Sequence, residues 1–173
     1  MRLHVAVAGL AIAATHTARA EGTPAVTTPT GGAHYVALGF EQVTLSAPPT
    51  MSSAEHVATA EAGLRISDSP LPFYVHATAG AAPSGYTDVR TGVDLRIGGM
   101  VKGLFGIDAG YQHDHRTIDE MYSVTGPYVA PRLGLEVGTR AWWLRGSIDW
   151  RYTLSQTVAG HAASVALTGG LDF

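Results

Sequence analysis

The chain has 173 residues, 14 acidic against 11 basic for a net charge of −3, and no cysteine. That length fits one domain and would cramp two. The missing cysteine excludes disulfides and thiol chemistry, and without a basic run there is no nucleic-acid footprint, so nucleic acid is not an expected partner. Asparagine is absent and the one lysine, Lys102, stands against ten arginines.

The first element is an export signal. Arg2 precedes an apolar run from Val5 to Ala14, and a polar stretch closes on Ala18-Arg19-Ala20, an A-x-A pattern that predicts a signal peptide over residues 1–20 cleaved after Ala20. The run is about ten residues where a spanning helix needs ~20. No later segment reaches that length without a charge or a glycine. Residues 21–32 are expected to be a short segment ahead of the folded domain.

From Ala33 the chain divides into eight segments of two-residue alternation separated by Gly, Pro, Ser and Asp, the repeated, individually weak signature of a membrane barrel. In the first, Val36, Leu38 and Phe40 alternate and the phase then slips to Val43 and Leu45, for which a bulge near Glu41 is expected. The second, Ala54 to Ile66, sets Ala58, Ala60, Ala62, Leu64 and Ile66 against Thr59, Glu61, Gly63 and Arg65. The third sets Phe73, Val75, Ala77 and Ala79 against Tyr74, His76, Thr78 and Gly80.

The fourth opposes Val89, Thr91, Val93, Leu95 and Ile97 to Asp88, Arg90, Gly92, Asp94 and Arg96, and the fifth opposes Val101, Phe105, Ile107, Ala109 and Tyr111 to Lys102, Gly106, Asp108, Gly110 and Gln112. The sixth runs Val129, Pro131, Leu133, Leu135 and Val137 against Tyr128, Arg132, Gly134 and Glu136. Pro131 forfeits a ladder hydrogen bond and predicts a bulge or strand end there. The seventh holds phase from Trp142 to Leu154, with Trp143, Arg145, Ser147, Asp149, Arg151 and Thr153 on the polar side. No helix period accommodates such a run.

The eighth segment, Val165 to Phe173, places Val165, Leu167, Gly169, Leu171 and Phe173 on one face. A terminal phenylalanine closing such an alternation resembles the last strand of bacterial outer-membrane barrels. Residues 33–173 thereby resemble the small eight-stranded barrels of the OmpA-barrel and OmpX type. The resemblance implies an antiparallel up-and-down transmembrane β-barrel, monomeric, with residues 21–32 and both termini periplasmic. It also implies recognition by the barrel assembly machinery through Leu167, Leu171 and Phe173, and lipid and lipopolysaccharide as surroundings. Connection lengths fit that orientation, since the joins near Asp68–Pro72, Gly98–Met100 and Gly138–Arg140 are short while Ser46–Ser53 and His113–Thr125 are longer.

Charge placement separates this reading from a soluble lipocalin-like barrel, which has an apolar cavity and a polar outside. Glu41, Glu61, Asp88, Asp94, Asp108, Glu136, Asp149 and Asp172 share one face with Arg65, Arg90, Arg96, Lys102, Arg132, Arg145 and Arg151. A near-balanced set in a narrow lumen can pair internally, and eight strands leave room for side chains rather than a wide channel. Inward glycines at 63, 80, 92, 106, 110, 134 and 170 leave space for the arginines. Aromatics are expected near two rims: Phe73, Trp142 and Phe173 at one, Phe40, Tyr111, Trp150 and Tyr152 at the other.

Chemistry is scarce. His113, Asp114 and His115, with Asp119 and Glu120, could suit a metal in the longest loop, but a polar surface loop is the commoner cause and no metal or cofactor is assigned. His56 and His161 alternate outward as a lipid A enzyme of this size would require, yet Ser164 turns inward. A nucleophile with base and orienter is missing, so no catalytic residue and no enzymatic activity are assigned. The expected function is structural or surface-interactive through the outer loops; a narrow channel and a lipid A-modifying enzyme are the alternatives.

Overall fold

The computed structural model describes residues 34–47, 51–67, 71–114, 125–139, 141–154 and 161–173; the expected signal peptide and residues 21–32 lie outside them. Eight strands follow in chain order: β1 His34–Ala47, β2 Met51–Arg65, β3 Phe73–Ala81, β4 Thr87–Gly98, β5 Val101–His113, β6 Gly126–Gly138, β7 Trp142–Thr153 and β8 His161–Asp172. Each pairs antiparallel with the next, and β1 also pairs with β8, so the sheet closes with no free edge. Closure pairs the strands with one another all the way round, and satisfying backbone groups within a closed sheet is the condition for β-structure in hydrocarbon. Among the described residues no helix is long and apolar enough to cross a membrane.

The alternation of the sequence becomes an alternation of burial. In β7, Trp143, Arg145, Ser147, Asp149 and Arg151 are buried while Trp142, Leu144, Ile148, Trp150 and Tyr152 are exposed. The same holds around the barrel: Leu38, Val89, Leu135, Val165 and Leu167 are each more than 60% exposed. Among the described strand residues no Asp, Glu, Lys or Arg is exposed on the outside. The core is therefore polar and the wall apolar, the polarity of a barrel that faces lipid.

Two expectations about strand geometry are corrected. β1 has no bulge near Glu41: its pairing with β2 and with β8 runs through Glu41↔Val57 and Glu41↔Ala166 without interruption. Val43 and Leu45 simply point inward, where they pack with Val57, Tyr86 and Ala162. The phase never slipped; the lumen turns apolar at that level. Pro131 lies inside β6, paired with Ile107 of β5. Its ladder to β7 is interrupted between Val129↔Tyr152 and Arg132↔Asp149, with equal residue numbers skipped on both sides. The missing N–H thus costs local pairing without changing register.

Phe73, Trp142 and Phe173 gather at the end where β1 starts and β8 finishes, here called the base, and Tyr111, Trp150 and Tyr152 near the opposite end, the top. Phe40 is not at a rim. It sits mid-strand opposite Ala58 and Leu167 and stacks on the outward His56, ring centroids 5.6 Å apart.

Candidate functional site

The lumen is filled in three layers. At the base Tyr35, Tyr74 and Trp143 form a buried aromatic cluster. Tyr35 meets Trp143 edge-on at 5.6 Å, and the Arg96 guanidinium lies 4.0 Å from the Tyr74 ring and 4.5 Å from the Tyr35 ring. Arg145 covers the Trp143 ring at 4.3 Å. Desolvated cation–π contacts of this sort contribute about 2 kcal/mol each. Trp143 Nε1 donates to Asp172 Oδ1 at 2.8 Å. Glycines make the layer possible: a Cβ on Gly63 would overlap the Tyr35 ring and one on Gly170 the Trp143 ring.

Above the rings, two carboxylates gather cations from several strands. Glu61 accepts from Tyr35 Oη at 2.7 Å, Arg145 Nη1 at 2.8 Å and Arg132 Nη2 at 3.3 Å. Glu136 accepts from Lys102 Nζ at 2.8 Å, Arg145 Nη2 at 3.0 Å and Arg96 Nη1 at 3.3 Å. Arg145 therefore bridges β2 and β6 from β7. Higher up, Arg90 donates to Glu41 Oε2 at 2.9 Å and Asp88 Oδ2 at 2.8 Å. Arg151 pairs with Glu41 and donates to Asp149 Oδ1 at 3.1 Å. Tyr128 Oη and Ser164 Oγ complete Asp88 and Asp149 at 2.7 and 2.6 Å. Charges taken from water are tolerated when this thoroughly paired.

The third layer closes the top. Val43, Leu45, Val57 and Ala162 surround Tyr86, which is fully buried. Its hydroxyl accepts from Arg151 Nη1 at 2.7 Å and donates to Gln112 Oε1 at 3.0 Å. Burial raises the Tyr86 phenol above its ordinary range, so it stays protonated and able to donate.

Of the residues expected in the lumen network, Glu41, Glu61, Asp88, Arg90, Asp94, Arg96, Asp108, Arg132, Glu136, Arg145, Asp149 and Arg151 are buried inside the barrel. Lys102 is half-buried at the base on Glu136. Arg65 differs: at the lower end of β2 its Nε donates to the Ser67 carbonyl at 2.8 Å, so it ties down the β2–β3 turn. Leu167, Leu171 and Phe173 all face outward; Phe173 exchanges backbone hydrogen bonds with His34 at 3.2 and 2.9 Å.

In the longest loop His113 Nδ1 lies 3.5 Å from Thr125 Oγ1, while His115, Asp119 and Glu120 lie outside the described residues, as does the His161 side chain. Tyr35, Tyr74, Trp143, Tyr86 and His76 were not expected as functional, although each shares the inward parity of the charges.

A closed eight-stranded barrel with a charged core and an apolar wall defines the class of small outer-membrane β-barrels. Its solved members include neisserial surface protein A, 16% identical with a TM-score of 0.60 over 82% of this chain and 97% of that one. They also include Ail, the attachment invasion locus protein of Yersinia pestis, 14% identical with a TM-score of 0.53 over 83% and 100%. A third is the N-terminal barrel domain of Pseudomonas aeruginosa OprF, 10% identical with a TM-score of 0.52 over 78% and 97%. At these identities the likeness is one of fold. No protein-family model and no curated protein matches the sequence.

Proposed function

We propose that this chain is an integral protein of the bacterial outer membrane whose lumen is closed and whose role is structural and interactive, carried by the loops at the top of the barrel. One observation carries the reading: the lumen is occupied from base to top by rings, paired charges and an apolar cap, each centred on fully buried side chains such as Trp143, Arg145, Glu41 and Tyr86. Such an interior serves to hold the barrel rigid and has no room for a wide channel. The apolar wall supports residence in lipid, with lipopolysaccharide around the outer rim and assembly machinery as the route of insertion. Work at the surface then falls to the connections β1–β2, β5–β6 and β7–β8.

The test is single-channel conductance of the refolded chain in a planar bilayer at two salt concentrations, folding being checked by a heat-modifiable gel shift. Silence is expected. Reproducible steps would overturn the closed-lumen reading, promote the channel and make Arg90, Arg96, Arg132 and Arg145 its selectivity residues. In parallel, removing residues 113–125 should abolish surface or lipopolysaccharide binding while the gel shift persists. Unchanged binding would take the role away from that loop.

A further inference from the structure

Two carboxylates stand apart from the pairing that satisfies the rest of the lumen. Glu41, Glu61, Asp88, Glu136 and Asp149 each accept hydrogen bonds from arginine, tyrosine, serine or lysine. Asp94 and Asp108 are as deeply buried, with side chains 0% exposed, yet neither accepts a well-formed hydrogen bond from an arginine, tyrosine, serine or lysine. Both turn to the same residue, His76, also 0% exposed. Its Nδ1 is 3.4 Å from Asp94 Oδ2, and its Nε2 is 3.1 Å from Asp108 Oδ1.

The three residues come from adjacent strands, and the sheet register assembles them. His76 of β3 lies opposite Gly92 of β4, which lies opposite Asp108 of β5; Asp94 lies opposite Gly106. The glycines form the floor. A Cβ at Gly92 would overlap Asp108 Oδ1, and one at Gly106 would overlap Asp94 Oδ1. One nitrogen or oxygen from each of His76, Asp94 and Asp108 fall within 4.8 Å of one another. The nearest guanidinium nitrogens stand off, Arg96 Nη2 at 3.7 Å from Asp94 and Arg90 Nε and Arg132 Nη1 at 3.4 and 3.8 Å from Asp108.

We propose that His76, Asp94 and Asp108 bind one divalent first-row metal ion in the middle of the barrel. Buried ionised carboxylates need a counter-charge or donors, and two carboxylates with one neutral imidazole balance a divalent ion. The mixed nitrogen and oxygen set suits Zn²⁺ or Mn²⁺. Arg132 Nη1 lies 3.1 Å from His76 Nε2. Metal binding displaces that contact, and Arg132 keeps Glu61, which it already reaches at 3.3 Å. Enclosure makes the site one that is loaded as the barrel folds and is then slow to release its ion.

The probe is metal supplied during refolding. The full chain is refolded into vesicles with Zn²⁺ or Mn²⁺, desalted with chelator, and its metal content is read by inductively coupled plasma mass spectrometry. About one ion per barrel is expected, with a higher unfolding temperature than after metal-free refolding. His76→Gln and Asp108→Asn, each shown folded by its gel shift, should lose the ion, whereas His113→Ala with His115→Ala should keep it. Retention in the His76 and Asp108 variants, or loss in the loop variant, would overturn the site. So would a metal-free wild-type barrel, including one stabilised by acid alone, where a proton shared between His76 and the carboxylates takes the place of a metal.

Discussion

Leu144 and Arg145 are neighbours in β7 that face opposite solvents, and exchanging their chemistry tests the inverted polarity directly. Leu144 is 53% exposed on the wall, flanked by Val137 on β6 and Gly169 on β8. An arginine there has no carboxylate on that face to meet, and because Leu144 lies only two residues above the Trp142 rim Leu144→Arg should cost about 1–2 kcal/mol, between the values for lipid-facing arginines at the interface and at the midplane. Arg145→Met costs for the opposite reason. It removes the 2.8 Å contact to Glu61 and the 3.0 Å contact to Glu136 and uncovers the Trp143 ring. Glu61 retains Tyr35, Arg132 and Thr78, and Glu136 retains Lys102 and Arg96. The loss is therefore that of one partner in a buried network, about 3–5 kcal/mol.

Equilibrium urea unfolding of vesicle-inserted protein, followed by tryptophan fluorescence, measures both variants. Glu61→Gln added to Arg145→Met should recover part of the loss, with a coupling of about 1–3 kcal/mol in the double-mutant cycle. If Leu144→Arg and Arg145→Met were both as stable as the parent, the assignment of wall and lumen would be wrong. If only the coupling were absent, the network would be present but energetically idle.

Gly170→Val forces a branched side chain into the Trp143 ring and should destabilise by about 1–3 kcal/mol in the same assay, whereas Gly146→Ala, whose added Cβ meets nothing within 4 Å, should be neutral. Tyr86→Phe removes the hydroxyl that links Arg151 to Gln112 and should cost about 1–3 kcal/mol by leaving buried polar groups short of a partner. Tyr86→Phe with parental stability would mean that the top layer is held by apolar packing alone. Arg65→Ala breaks, among the described residues, the 2.8 Å bond to the Ser67 carbonyl at the half-buried β2–β3 turn and should change stability by about 1 kcal/mol or less, far below Arg145→Met.

The strands were legible wherever polar and apolar residues alternate strictly, and β7 is the clearest case, because a period of two over such a length has one structural solution. The reading failed where parity was used with the assumption that everything inward is polar. Val43 and Leu45 keep the parity of Glu41, and reading them as a phase slip misses the apolar cap they form with Tyr86, a residue of the β3–β4 turn outside the alternating segments. Parity puts Tyr74 and Trp143 on the polar side, but not their gathering with Tyr35 into one cluster, because aromatics suit either face and the room for these rings comes from glycines on neighbouring strands. The membership of the charge set could be listed from parity alone. Its pairing could not, because Arg132 lies closer to Glu61 than to Asp108, and Asp94 keeps only a longer arginine contact, a choice set by cross-barrel distances.

The lumen bonds also join residues remote along the chain: Arg132 and Glu61 are 71 positions apart, Arg145 and Glu61 84, and Arg151 and Glu41 110. A sheet of the first few strands cannot form them, and in lipid it would present Glu61 without Arg132 and Arg145, and Glu41 without Arg151. Half-built barrels are thus penalised at every stage until β7 and β8 arrive, which favours concerted insertion and slow assembly typical of long-range topology. The same penalty acts in reverse. Extracting a single hairpin strands charges on the hairpin and on the remainder, so the finished barrel should resist unfolding kinetically far beyond its equilibrium stability.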